Sequence, residues 1–174
     1  ILLPMLLCLA LSAAARAHQA PESPVEGLSL TPIGERVYVV QGLQALPTPD
    51  NAGFMSNTGI VLTEAGVVIV DSGGSGRVAR AMLAALRGLT DLPVVAVFNT
   101  HVHGDHWLGN AAVREAFPEA RIYAHKRAIE RLGEGEAERW RDIFRRMTEA
   151  EPDPAVLPDQ ALIGGEALEV AGAE

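Results

Sequence analysis

Asn99-Thr100-His101-Val102-His103-Gly104-Asp105-His106 is the stretch on which the reading of this chain turns. Three of the five histidines and one aspartate fall within six consecutive residues there. With this composition, a His-x-His-x-Asp-His pattern arises by chance in on the order of one chain in several thousand. His101 and His103 stand two apart at the end of a strand-like run, so an extended backbone projects both imidazoles to one side. Asp105 and His106 follow Gly104, which lets the chain turn sharply. Four nitrogen and oxygen donors then converge on one pocket at a strand-to-helix junction. Zinc accepts imidazole together with carboxylate, and manganese and iron are the alternatives. A helix N-cap role would account for Asp105 alone. It leaves unexplained three clustered imidazoles that repel one another when protonated.

Upstream, Val94 to Phe98 is a continuous apolar run of strand length and predicts a strand buried on both faces. Before it, Val78, Ala79, Met82, Leu83, Leu86 and Leu89 recur at helical spacing after the turn Ser72-Gly73-Gly74-Ser75-Gly76. That turn lacks both the lysine of a P-loop and the spacing of a dinucleotide fingerprint, so it is not read as a phosphate cradle. Asn57 to Thr63 and Val67 to Asp71, joined by Glu64-Ala65-Gly66, predict a hairpin. Arg36 to Gln41 is a further β-prone run, followed by a Gly/Pro-rich loop from Gly42 to Gly53.

Downstream, the pattern predicts a helix from about His106 to Phe117 and a strand at Arg121 to Ala124. A second helical stretch carries Ala137, Trp140, Ile143, Phe144 and Met147 on one face and alternating charges on a solvated one. Gln160 to Ile163 and Ala167 to Val170, around Gly164-Gly165, predict a second hairpin. Trp107 is assigned to the core and His125 to a helix start or the surface. Ser56, Ser72 and Ser75 have no nucleophile-elbow context. Together these elements predict an α+β domain, a mixed sheet with helices packed outside it.

The chain has 174 residues, enough for one domain with a real core. Acidic residues outnumber basic ones 22 to 14, giving a net charge of −8. That balance argues against nucleic acid as a partner, because phosphate binding needs clustered Lys and Arg. Residues 1–17 read as a secretory signal: an apolar run from Leu2 to Ala15, too short for a comfortable span, then Ala15-Arg16-Ala17 as a cleavage pattern. Periplasmic or secreted localisation follows, with no stable membrane anchor after cleavage. Cys8, the only cysteine, lies inside that segment, so the mature chain would hold neither disulfide nor thiol ligand. Residues 18–32, rich in Pro, Glu and Ser, read as a flexible lead-in to a domain over 33–174. The sequence starts on Ile1 rather than Met and stops at Glu174 in mid-pattern, which reads as a fragment incomplete at both ends.

The motif THVHGDH, preceded by VVIVDSG and by the strand-loop SNTGIVL, resembles the metallo-β-lactamase superfamily over the chain from about Arg36 onward. The signal segment and the context NTHVHGDHWLGN are most similar to periplasmic zinc metallohydrolases of the quinoprotein-relay type. The resemblance implies the N-terminal half of an αββα sandwich. It also implies that His101 and His103 bind a first zinc ion, that Asp105 and His106 bind a second, and that Asp71 supports the metal loop from behind. The family completes its sites with a further histidine, a bridging carboxylate and a final histidine. His125 does not match these positions, so the ligand set is half present. A fragment of that kind should bind metal weakly and expose apolar sheet surface.

Zinc lowers the pKa of coordinated water from about 15.7 to about 7, which supplies hydroxide at neutral pH without serine or thiol. The resulting expectation is a metal-dependent hydrolase in which that hydroxide attacks an acyl carbonyl of a small molecule: an ester, thioester or lactam. Asp105 would also orient the attacking water and is the catalytic candidate. The competing expectation is a non-catalytic, metal-binding periplasmic accessory protein on the same fold. No protein partner is legible.

Overall fold

A computed structural model describes residues 23–172. The segment expected to be a signal, Cys8 and the beginning of the expected lead-in lie outside the described residues. The elements run β1 (Thr31–Pro32), β2 (Val37–Val40), β3 (Thr58–Leu62), β4 (Val67–Val70), α1 (Gly76–Arg87), β5 (Val94–Asn99), α2 (Gly104–Trp107), α3 (Asn110–Ala116), β6 (Arg121–His125), α4 (Lys126–Arg131), α5 (Ala137–Thr148) and β7 (Gln160–Leu162). A wide helical turn at Leu132–Glu136 joins α4 to α5.

All seven strands form one mixed sheet in sequence order. β1 to β4 pair antiparallel; β5, β6 and β7 then add parallel to their predecessors. The predicted hairpin forms between β3 and β4, with Gly59 opposite Val70 and Leu62 opposite Val67. Its turn is closed by the buried Thr63 hydroxyl, which donates to the Gly66 carbonyl and accepts from the Gly66 N–H. The step from β4 to the parallel β5 is made through α1, as a crossover connection requires.

Alternation along the strands sends Ile60, Ile69, Val97 and Ile122 to one face, where each is fully buried. Val78, Met82, Leu83 and Leu86 of α1 and Val113 of α3 cover that face. Ser75 starts α1 by accepting the Val78 N–H on its hydroxyl.

Four expectations need correction. Val94 to Phe98 is not buried on both faces: Val95 and Phe98 are only half buried, and no helix among the described residues packs on that side of the sheet. There Phe98 stacks on Tyr123 at 4.7 Å, and an apolar groove runs past Val61, Val68 and Leu168. The single helix foreseen from His106 to Phe117 is two, α2 and α3, broken where Gly109 donates its N–H to the Gly73 carbonyl (3.0 Å). The second hairpin does not form. β7 instead extends the parallel edge, pairing Ala124 with Ala161, and the Ile163 N–H turns to the Glu166 carboxylate (2.7 Å) rather than to a strand. Finally, the described part of the lead-in is fixed in place: Val25 is 1% exposed within the core, and β1 pairs with β2. No helix among the described residues is long and apolar enough to cross a membrane.

Gly109 marks the closest approach between α3 and the turn that follows β4. A Cβ there would lie 2.2 Å from the Ser72 carbonyl oxygen, and backbone cannot swing aside as a side chain can. Gly109→Ala is expected to cost about 2–3 kcal/mol of stability, at the upper end of overpacking. Urea unfolding of the variant measures this, and a midpoint equal to the wild type would contradict it.

Candidate metal centre

β4 and β5 are parallel neighbours, so their C-terminal ends open on the same edge of the sheet, where such folds place ligands. The Asp71 N–H donates to the Phe98 carbonyl (2.9 Å) as the two strands end. Asp71 then takes a left-handed backbone conformation, φ +62°, which a non-glycine residue adopts at a cost of about 1 kcal/mol or more. That bend aims its buried carboxylate across the sheet edge. Oδ1 accepts the Thr100 N–H (2.8 Å); Oδ2 accepts the Thr100 hydroxyl (2.8 Å) and lies 2.7 Å from His106 Nδ1. A simple turn-forming role for Asp71 does not need these contacts.

The backbone does not stay extended past β5: it bends at His101 and Val102, is extended at His103 (φ −68°, ψ 139°), and then enters α2, which carries Asp105 and His106 in a single turn. Asp105 therefore lies inside the first turn, while His103 takes the N-cap position without a side-chain capping bond. The ring of His101 is 4.6 Å from that of His103 and 4.0 Å from that of His106, centroid to centroid. His106 Nε2 lies 3.1 Å from Asp105 Oδ2. All four motif side chains and Asp71 are thus brought to one place. His125 is not among them: it starts α4, its Nδ1 accepting the Arg127 N–H. Trp107 is fully buried, with its indole N–H on the Val102 carbonyl (3.0 Å), and does not wall the pocket.

Several supporting residues were not foreseen. Asn99, Asn110 and Ser72 form a buried polar network: Asn110 Nδ2 donates to Asn99 Oδ1 (2.8 Å), and the Ser72 hydroxyl donates to Asn110 Oδ1 (2.8 Å). From it, the Ser72 N–H and Asn99 Nδ2 both donate to the His106 carbonyl. The Ser56 hydroxyl, from the loop before β3, donates to the Asp105 carbonyl. Trp140 of α5 lies against His103. The one clue in the sequence was polar Asn99 and Asn110 bordering apolar strand and helix positions, where a polar side chain needs a partner.

The cluster polarises its members differently. Burial lowers the His101 pKa, and the neighbouring His106 and His103 charges push it the same way. Burial also acts to lower that of His106, but hydrogen bonds to Asp105 and Asp71 overcome it and raise the value to about 9. Burial acts to raise Asp105, yet its bond to His106 holds the carboxyl below the usual range.

In kind and proximity, three imidazoles and an ionised carboxylate fit a divalent cation. Among the described residues, no three such groups are already directed at a common point.

A profile described as the metallo-beta-lactamase superfamily matches residues 51–172. Among solved structures, the metallo-beta-lactamase from Pontibacter korlensis is similar with a TM-score of 0.58 at 17% identity, over 83% of this chain and 57% of that one. A motif mutant of the Cronobacter sakazakii metallo-beta-lactamase gives 0.58 at 21%, over 83% and 51%. The Erythrobacter litoralis metallo beta lactamase gives 0.50 at 25%, over 63% and 46%. No curated protein matches. The chain spans about half the length of these three structures, and 16% of a Pseudomonas sec-alkylsulfatase that it also matches. The motif, the parallel strand ends that carry it and the profile match agree: this chain belongs to the metallo-β-lactamase superfamily.

Proposed function

We propose that this chain carries part of the active site of a zinc-dependent hydrolase acting on an acyl carbonyl of a small molecule: an ester, thioester or lactam. His101 and His103 would hold one ion, and Asp105 and His106 a second. Export to the periplasm or beyond the cell is part of the proposal, with no nucleic-acid partner. The observation that carries it is the gathering of His101, His103, Asp105 and His106 in front of the Asp71 carboxylate. Zinc bound there supplies a Lewis acid that acidifies water and polarises a carbonyl.

The chain's own residues do the rest. Asp71 takes the His106 Nδ1–H, so Nε2 is the nitrogen left to face a cation. A proton on Nε2 is held by Asp105, and cation uptake would release it. Asp105, kept ionised, is an acceptor able to orient the hydrogen of an attacking water.

In the whole protein, His101→Ala should reduce metal-dependent hydrolysis more than about a hundredfold, since losing a ligand costs at least what losing a ligand's support costs. Turnover on ester, thioester and lactam probes, read beside elemental zinc content, checks this; both unchanged would refute the hydrolase. Stoichiometric zinc without turnover on any probe would favour the accessory protein.

With chelator present, the protonation of the cluster sets a stability optimum. His106, raised from an ordinary value near 6.5 to about 9, contributes fully below pH 6.5 and loses that contribution as pH rises through 9. The loss is on the order of 3 kcal/mol. His101 is shifted downward, so its contribution holds above its ordinary value and fades as pH falls. Chelated protein is therefore expected to be most stable near pH 6.5, and Asp71→Asn should flatten the alkaline decline. Urea unfolding at pH 5.5, 6.5, 7.5 and 9, values spanning about the two shifts, measures it; a flat wild-type profile would count against this proton arrangement.

A further inference from the structure

The three imidazoles of the metal loop are not held alike. His106 is fixed by Asp71 and Asp105, and His101 Nδ1 lies 3.0 Å from the Thr100 hydroxyl. His103 is the exposed one of the three, and its side chain makes no hydrogen bond among the described residues. A histidine that holds a metal generally gives its second N–H to a partner that sets the orientation of the ring. Against His103 lies instead the indole of Trp140, with ring centroids 4.9 Å apart and planes inclined by 47°.

Trp140 is itself held in place. Its indole N–H donates to Glu136 Oε1 (3.2 Å), four residues earlier, and that carboxylate is flanked by Arg131 and Arg139 at 3.7 and 3.6 Å. Phe144, one helical turn further on, meets the indole edge-on at 6.4 Å. α5 is pressed directly onto the loop: a Cβ at Gly104 would lie 3.1 Å from the Trp140 Cβ, 3.1 Å from Phe144 and 3.0 Å from Leu108. The missing side chain of Gly104 is what admits the helix, since its backbone is ordinary helix and not a left-handed turn.

We propose that Trp140 is a positioning residue for the metal centre: its indole fixes the His103 imidazole, the task that hydrogen bonds perform for His101 and His106. The inference rests on the metal-centre reading above. It adds α5, a helix outside the motif, to the machinery of the site.

The test uses the full chain and two readouts. Without metal, the His103 ring protons, assigned by their loss in His103→Gln, should be displaced upfield by the indole ring current. Trp140→Leu should return them toward free-histidine positions, and Trp140→Phe should keep part of the displacement. With cobalt(II), followed by its visible absorption, Trp140→Leu should weaken uptake roughly tenfold or more, and Trp140→Phe should restore most of it. Should Trp140→Leu fail to fold by circular dichroism, Glu136→Ala releases the indole N–H while Trp140 keeps its packing against the cluster around Phe144. It should move the same resonances in the same direction. Undisplaced His103 protons in the wild type, or cobalt uptake unchanged in Trp140→Leu, would overturn the positioning role while leaving the metal centre standing. A wild type with displaced His103 protons that takes up no cobalt would overturn the metal reading, and the proposal with it.

Discussion

The buried carboxylate of Asp71 ties the sheet to the loop that carries the donors. It leaves β4 through a left-handed backbone bend and then binds the first residue beyond β5 twice and the last histidine of the motif once. The bend alone is unfavourable. The three bonds offset it, because the Asp71 carboxylate is buried and would otherwise be left without partners. Parallel pairing of β4 and β5 is the condition for all of this: had the two strands run antiparallel, Asp71 and Thr100 would lie at opposite edges of the sheet. The α1 crossover is therefore as much a part of the centre as the histidines.

The gathering of the four motif side chains was more legible in the sequence than their surroundings, and locality explains the difference. His101, His103, Asp105 and His106 lie within two turns' worth of chain, so spacing alone brings them together. Asp71 was singled out through the family resemblance of VVIVDSG, which implies its supporting role. The β3–β4 hairpin and α1 followed from patterns local in the chain, Asn57 to Asp71 and Val78 to Leu89. What escaped was decided by contacts distant in sequence. Nothing near Gly104 announces that a helix more than thirty residues later will rest on it, so a glycine that serves close packing reads locally as one that serves a turn. Gly109 hides the α2–α3 break for the same reason, its partner being the turn after β4. The second hairpin failed because turn residues and alternation at 160–170 suit a parallel edge strand followed by a loop as well as they suit a hairpin. One-sided burial of β5 was also out of reach, since an apolar run does not say whether its second face is covered.

Support and donors are kept apart within the loop. The carbonyls of Val102, Asp105 and His106 are each claimed by a donor from elsewhere: the Trp107 indole, the Ser56 hydroxyl, and Ser72 with Asn99. These contacts fix the path of the main chain without consuming any of the side-chain atoms a cation would need. The buried Asn99–Asn110–Ser72 network is costly if even one member is lost, because the others are then unpaired in a low-dielectric interior. The network meets His106 at its main-chain carbonyl and not at its ring. The main chain of the loop is thereby held from several sides, while its imidazoles and the Asp105 carboxylate lie close together without yet being directed at a common point, so a cation would have to draw side chains, not backbone, into place.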